Sequence, residues 1–126
     1  MITPISNKES RANKIIESVK LAARIADEKQ AEHISILDMR QRLVITDYFL
    51  IISAKNIRLT VRIYEDINKA LKEKQIRPIT VSGLQEGKWI LADYDDFVVH
   101  IFTTEVAQYY ELERLWKDSK VIDWNN

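Results

Sequence analysis

Asp47-Tyr48-Phe49-Leu50-Ile51-Ile52-Ser53-Ala54 contains the longest apolar run in the chain, Tyr48 to Ile52, and its reading decides the fold. A strand with one wet face alternates apolar and polar residues. This run does not, as expected of a strand covered on both faces, and it is read as the centre of a sheet. Asn56 follows at once and can cap a helix ending near Lys74. In that helix Ile57, Val61, Tyr64, Ile67 and Leu71 form one stripe, while Arg58, Arg62, Lys69 and Lys72 remain for solvent. Arg77-Pro78 ends it, because proline holds the preceding residue in extended geometry, so Ile79 to Ser82 begins a further strand. Strand, helix and strand in this order make a right-handed parallel crossover with the helix lying on the sheet.

On the N-terminal side, His33 to Asp38 reads as another strand. From Ser6 to about Gln30, Ala12, Ile15, Ile16, Val19, Ala22, Ala23 and Ala26 recur at the three- and four-residue spacing of an amphipathic helix, with Ser6 as its cap. On the C-terminal side, Gly83 and Gly87, the only two glycines, bracket a turn in which positive φ is needed. Trp89 to Asp93 and Phe97 to Thr103 form a hairpin across Tyr94-Asp95-Asp96, where aspartates can accept hydrogen bonds from the backbone. Thr104 then caps a last helix on which Tyr109, Leu112 and Trp116 share a core-facing side, and Asp123 to Asn126 is a fraying tail. The order α-β-β-α-β-β-β-α describes an α+β fold, a mixed five-stranded sheet with packed helices.

With 126 residues, 46% of them hydrophobic and 30% charged, the chain reads as a single globular domain spanning 1–126. It has no cysteine, so disulfides, thiolate metal sites and cysteine nucleophiles are unavailable, and a cytosolic address fits. The start lacks the apolar core of a signal peptide, and no apolar run approaches the roughly 20 residues of a membrane-spanning helix. Net charge is zero, yet residues 1–85 hold 15 Lys and Arg against 10 Asp and Glu, whereas residues 86–126 hold 4 against 9. An acidic C-terminal third gathered on one surface favours a basic partner and repels naked nucleic acid.

Chemistry is sparse. Asp93, Asp95 and Asp96 could hold magnesium for nucleotidyl transfer, but aspartate is also the ordinary residue of such a turn, and no glycine-rich phosphate cradle accompanies it. His100, flanked by Val99 and Ile101, reads as a hydrogen-bonded structural histidine. Ser53 and Ser82 lack a nucleophile elbow. The basic stripe of the second helix is the one candidate for RNA, without the aromatic motif that RNA-binding sheets use. Trp89, Tyr94, Tyr109, Tyr110, Trp116 and Trp124 all fall in the acidic third, and Tyr94, between two aspartates in a turn, reads as exposed. Exposed aromatics ringed by carboxylates mark a protein-binding edge.

Four blocks carry a family resemblance. Asp47-Tyr48-Phe49-Leu50-Ile51, Trp89-Ile90-Leu91-Ala92-Asp93-Tyr94, Val98-Val99-His100-Ile101-Phe102 and Tyr110-Glu111-Leu112-Glu113-Arg114-Leu115-Trp116 resemble, in order and spacing, the signature blocks of the Iojap-like ribosomal silencing factors. The resemblance implies a nucleotidyltransferase-like fold without the catalytic site, and no cofactor. It implies a translational repressor that binds ribosomal protein fourteen of the large subunit and sterically blocks joining with the small one, in a bacterial cytoplasm. A homodimer of the free protein is compatible with it. Joined to the acidic and aromatic clustering, it makes Trp89, Asp93, Tyr94, Asp95 and Asp96 docking residues, together with Tyr110, Glu113 and Trp116. The alternative is a magnesium-dependent enzyme using Asp93 and Asp95. Two positions depart from the family pattern: Ala54 stands where glycine is common after the strand serine, and Ala107 where an arginine is common. The first alters the turn into the helix, and the second makes contacts near Ala107 unsafe to carry over.

Overall fold

The computed structural model describes residues 7–41 and 46–125. The central apolar run forms β2 (Tyr48–Ala54), preceded by α1 (Asn7–Glu28) and β1 (His33–Asp38). After it come α2 (Ile57–Glu73), β3 (Thr80–Ser82), β4 (Trp89–Asp93), β5 (Phe97–Thr103), α3 (Thr104–Tyr109), α4 (Glu113–Lys117) and β6 (Lys120–Ile122). The mixed α+β class is as expected, but the sheet has six strands in the order β3-β4-β5-β2-β1-β6 rather than five. β6 pairs antiparallel with β1, from Ile36↔Ile122 to Asp38↔Lys120. Three residues are too few to show a period, and this strand exists because β1 offers it an edge. Trp124, expected in a fraying tail, packs against the main core. Asn126, and Ser6 as the first helix cap, lie outside the described residues.

β2 is central because a strand pairs along each of its edges. It pairs with β5 in parallel, from Tyr48↔Phe97 to Ala54↔Thr103, and with β1 antiparallel. The crossover expected after α2 is present, with β3 running parallel to β2 and α2 lying on the sheet, but the two strands are not neighbours: β3 lies at the sheet edge, antiparallel to β4. β4 in turn is antiparallel to β5, so the parallel neighbour of β2 arrives two strands later. The two glycines make this possible. Gly83 and Gly87 adopt φ of +78° and +74°, a region closed to most side chains.

One sheet face is fully covered. Ile36, Leu50, Ile52, Ala54, Ile90, Ala92, Val99 and Ile101 meet Val19, Ala22, Ala23 and Ala26 of α1 and Ile63, Ile67 and Leu71 of α2 in one buried cluster. Asn56 caps α2 as expected, its Oδ1 accepting from the Leu59 N–H at 2.9 Å. The buried stripe is rotated from the expected one: Ile57 is exposed, and Thr60, Ile63, Tyr64, Ile67 and Leu71 face inward. Thr60 is fully buried because its Oγ1 donates to the Gly87 carbonyl at 2.6 Å, pinning the glycine turn to the helix.

The other face is half covered. Leu37, Met39, Ile51 and Phe102 are buried there beneath Val106, Ala107 and Leu112. The single last helix expected from the sequence is two short ones. Thr103, not Thr104, caps α3, accepting from the Val106 N–H at 3.3 Å, and the backbone breaks at Glu111, whose φ is +49°. The break changes the helical phase, so Leu112 packs inward while Tyr109, expected in the core, is 79% exposed.

A Cβ at Gly83 would sit 1.9 Å from the Trp89 carbonyl oxygen, on a backbone that also disfavours side chains. Gly83→Ala should therefore destabilise the fold by at least the roughly 1–3 kcal/mol of a left-handed non-glycine residue. Chemical denaturation will read this as a lower midpoint at unchanged slope. An unshifted midpoint would mean the turn relaxes freely.

Candidate functional site

Alternation along β4 sends Ile90 and Ala92 into the core and turns Trp89, Leu91 and Asp93 to the half-covered face. On β5 the same rule groups Val98, His100 and Phe102, and on β2 it adds Phe49 and Ile51. α3 and the turn after it cover the Ile51 and Leu37 side of this face. Toward β4 the face stays open, and there Trp89 is 44% and Tyr110 58% exposed.

These side chains form a connected aromatic surface. The Trp89 ring lies 5.0 Å from Phe102 and 6.1 Å from Tyr110, and Tyr110 meets Tyr109 edge to face at 5.0 Å. Phe49 and Phe102 flank His100. The Trp89 Nε1–H donates to His100 Nδ1 at 3.2 Å, so the histidine read as structural does hold a hydrogen bond, to the half-exposed Trp89 indole. Burial pushes the His100 imidazole down to about 4, so it is neutral near pH 7.

The acidic turn separates into distinct roles. Asp93 Oδ1 accepts from the Asp95 N–H at 2.8 Å, the local bond that aspartate makes in turns. Asp95 is exposed with φ of +75°. Asp96 pairs with Arg11 of α1 at 3.2 Å, directing its carboxylate to the helical layer. Among the described residues, no group of three or more His, Asp or Glu side chains is arranged to hold a metal ion.

Tyr94 corrects a sequence expectation. Rather than standing exposed, it is 5% exposed, stacks on Phe97 at 5.1 Å, and donates its hydroxyl to Asn68 Oδ1 at 3.2 Å. Burial raises its pKa well above that of a free tyrosine. The turn is tight enough to return residue 94 to the core-facing side, with the Tyr94 N–H donating to the Phe97 carbonyl at 2.9 Å.

The remaining docking candidates sit elsewhere. Glu113 opens α4 and lines a cleft of about 500 Å³ with Glu32, His33, Ser53, Thr104 and Gln108. Burial lowers the His33 imidazole while Glu113 pulls it up. Trp116 belongs to α4 by its backbone, and its side chain lies outside the described residues. The structure thus joins Trp89 to Tyr110, with Asp93 on the same strand face, and does not bring Tyr94, Asp96 or Glu113 to them. Leu91, Val98, Phe49 and Phe102 were missed as members of this surface. Strand alternation from Trp89 finds Leu91, and alternation from His100 finds Val98 and Phe102.

Comparisons with known proteins agree with one another. The family described as "Ribosomal silencing factor during starvation" matches residues 12–126. The ribosomal silencing factor of Bacillus subtilis is 36% identical over 105 residues, covering 83% of this chain and 89% of that one. A mouse relative named mitochondrial assembly of ribosomal large subunit protein 1 is 26% identical over 92 residues, covering 71% of this chain and 40% of its own length. A crystal structure from Chromobacterium violaceum superposes with a TM-score of 0.75 at 26% identity, covering 82% of this chain and 87% of that one.

The neutral, buried His100 makes stability depend on pH. Its folded pKa lies below the usual 6.5, so as pH falls the unfolded chain takes up the proton first. The stability is intact above 6.5 and is lost progressively toward about 4. The expected loss is about 3 kcal/mol over that window. Denaturant titrations at pH 7 and pH 4.5 should show this fall, and His100→Phe should remove much of it. Equal pH slopes for parent and variant would assign the effect to other groups.

Proposed function

This chain belongs to the ribosomal silencing factor family, and from that premise we propose that it represses translation by seating the open face of its sheet on the large ribosomal subunit. The family name supports a ribosome-associated repressor, and the mouse relative's name points to the large subunit. The finer reading is that the contact is made with large-subunit ribosomal protein fourteen and that the seated domain occupies space the small subunit needs. A steric block requires residence, not turnover. The relatives carry regulatory names, and the protein is read as acting without catalysis or cofactor, in the bacterial cytoplasm.

One observation carries the reading. Trp89 and Tyr110, large aromatic residues of the type that dominates binding energy, are substantially exposed side by side on a sheet face that the helices leave uncovered. Carboxylates border that half of the molecule, with Asp93 on the face and Glu105 and Glu111 on the segment after β5. Their field favours a basic partner, and proteins that bind ribosomal RNA are basic. Trp89, Tyr110 and Asp93 are the proposed contacts, and Asp95 a rim charge. Glu113, on the separate cleft beside His33, and Trp116 are proposed contacts of a second patch. Tyr94 and Asp96 support it, one from the core and the other through Arg11.

Cosedimentation with purified large subunits tests this reading. Trp89→Ala should weaken binding about thirtyfold, the effect of losing an anchor worth roughly 2 kcal/mol, and should restore subunit joining. Asp95→Lys should chiefly slow association and reduce its salt dependence. If Trp89→Ala and Tyr110→Ala together leave affinity unchanged, the proposed face is wrong. Tyr94→Ala is unsuitable because it removes a core side chain.

A further inference from the structure

An indole N–H can only donate, and an exposed one ordinarily does so to water or to a binding partner. That of Trp89 does neither, being turned back into its own sheet to His100 Nδ1 at 3.2 Å. Trp89 opposes Phe102 and His100 opposes Leu91 in the β4–β5 register, so Trp89 reaches His100 along the diagonal. Such a contact lies within range of long aromatic side chains.

His100 occupies its slot at a cost. It is 8% exposed, wedged between Phe49, 4.8 Å away and steeply inclined, and Phe102, 6.0 Å away and nearly parallel. With Nδ1 accepting, the neutral ring carries its proton on Nε2, which is buried without a hydrogen-bond partner among the described residues. A phenylalanine or leucine would fill the same space with no unsatisfied donor. What only the imidazole supplies here is an acceptor under the Trp89 indole.

We propose that His100 is a positioning residue for docking: by accepting the Trp89 Nε1–H it fixes the indole before the partner arrives, so that the ring face, not the N–H, is offered for contact. Two flanking phenylalanines hold the imidazole plane, the imidazole holds the indole, and the indole then sets the floor beside Tyr110. A tryptophan on an exposed strand end would otherwise sample several rotamers, and ordering it on binding would subtract from affinity. The matching partner group is one that packs on an aromatic face: an aliphatic side chain, or the guanidinium or ammonium of a basic protein. The inference rests on the docking face proposed above.

The test uses the full chain and purified large subunits. His100→Phe keeps the ring volume and removes the acceptor, and His100→Asn returns an acceptor near the Nδ1 position. Binding should weaken about fivefold in His100→Phe, the worth of one ordinary hydrogen bond, and recover substantially in His100→Asn. In a Trp89→Phe background, His100→Phe should cost nothing further, because the donor is already gone. In ¹H–¹⁵N spectra of the free protein, the Trp89 indole N–H should exchange slowly in the parent and rapidly in His100→Phe. Additive losses in the double variant, or an indole N–H unaffected by His100→Phe, would overturn the positioning role. If Trp89→Ala binds like the parent, the docking face itself fails. If Trp89→Ala weakens binding and His100→Phe does not, only the positioning role fails. Should His100→Phe fold poorly, the exchange rate in His100→Asn and the affinity of Trp89→Phe, which alters a partly exposed residue, still decide the matter.

Discussion

The parallel pairing of Tyr48–Ala54 with Phe97–Thr103 is the constraint from which the rest of the structure follows. Parallel neighbours cannot be joined by a tight turn, so the chain between them must leave the sheet and return. It does so through α2 and the β3–β4 hairpin, and α2 comes to rest on one face beside α1. Both long helices are then spent on the same side. Leaving β5, the chain must travel back across the sheet to add β6 at the far edge of β1, and the only path runs over the second face. α3 and α4 are that path. α3 and the turn after it cover the β1 and β2 half and leave the β4 half open, so the exposed aromatic surface is a consequence of topology.

An open sheet face rich in aromatic residues is a hazard unless it is used or restrained. Here it is restrained at its border. The hairpin turn that carries three of the acidic residues is fixed by the Asp93 carboxylate, the Asp96 pairing to Arg11 and the Tyr94 hydroxyl on Asn68. Arg11 and Asp96 are both substantially solvated, and that pair contributes little to stability. Its effect is to orient a carboxylate away from the open face, while Asp93 stays on it. The turn composition that looked like a metal site is thus occupied by local bonds, and the negative field it leaves is held at defined positions.

Elements with strong periodicity were legible in the sequence, and those made by pairing were not. β1, β4 and β5 begin and end at the residues read from alternation and turn chemistry, and Asn56 caps α2 as its position promised. β6 was invisible because three residues have no period, and the place of β3 in the strand order could not be read because connectivity alone does not say which edge a strand joins. Tyr94 was misplaced for a related reason. Flanking aspartates advertise a wet turn, but with Asp95 in the left-handed region the chain reverses so tightly that residue 94 still points inward. Tyr109 failed in the opposite direction, since no glycine or proline announces the break at Glu111 that turns it outward. The pairing of Trp89 with Tyr110 brings β4 against the end of α3 and could not be read from spacing.

On the proposed reading the protein works by occupancy, and such a repressor gains from slow dissociation more than from fast arrival, because dissociation rates follow the quality of a few central anchors. Placing the principal aromatic on a strand held at Phe102 and His100 answers that need better than a loop would, because its backbone is paired to β5 in the sheet ladder. The proposed positioning role accounts for a buried imidazole whose Nε2 has no hydrogen-bond partner among the described residues. Fold stability alone would favour phenylalanine there. A site that must be ready before its partner arrives tolerates the unsatisfied donor, since ordering the indole in the free protein transfers that entropic cost from binding to folding.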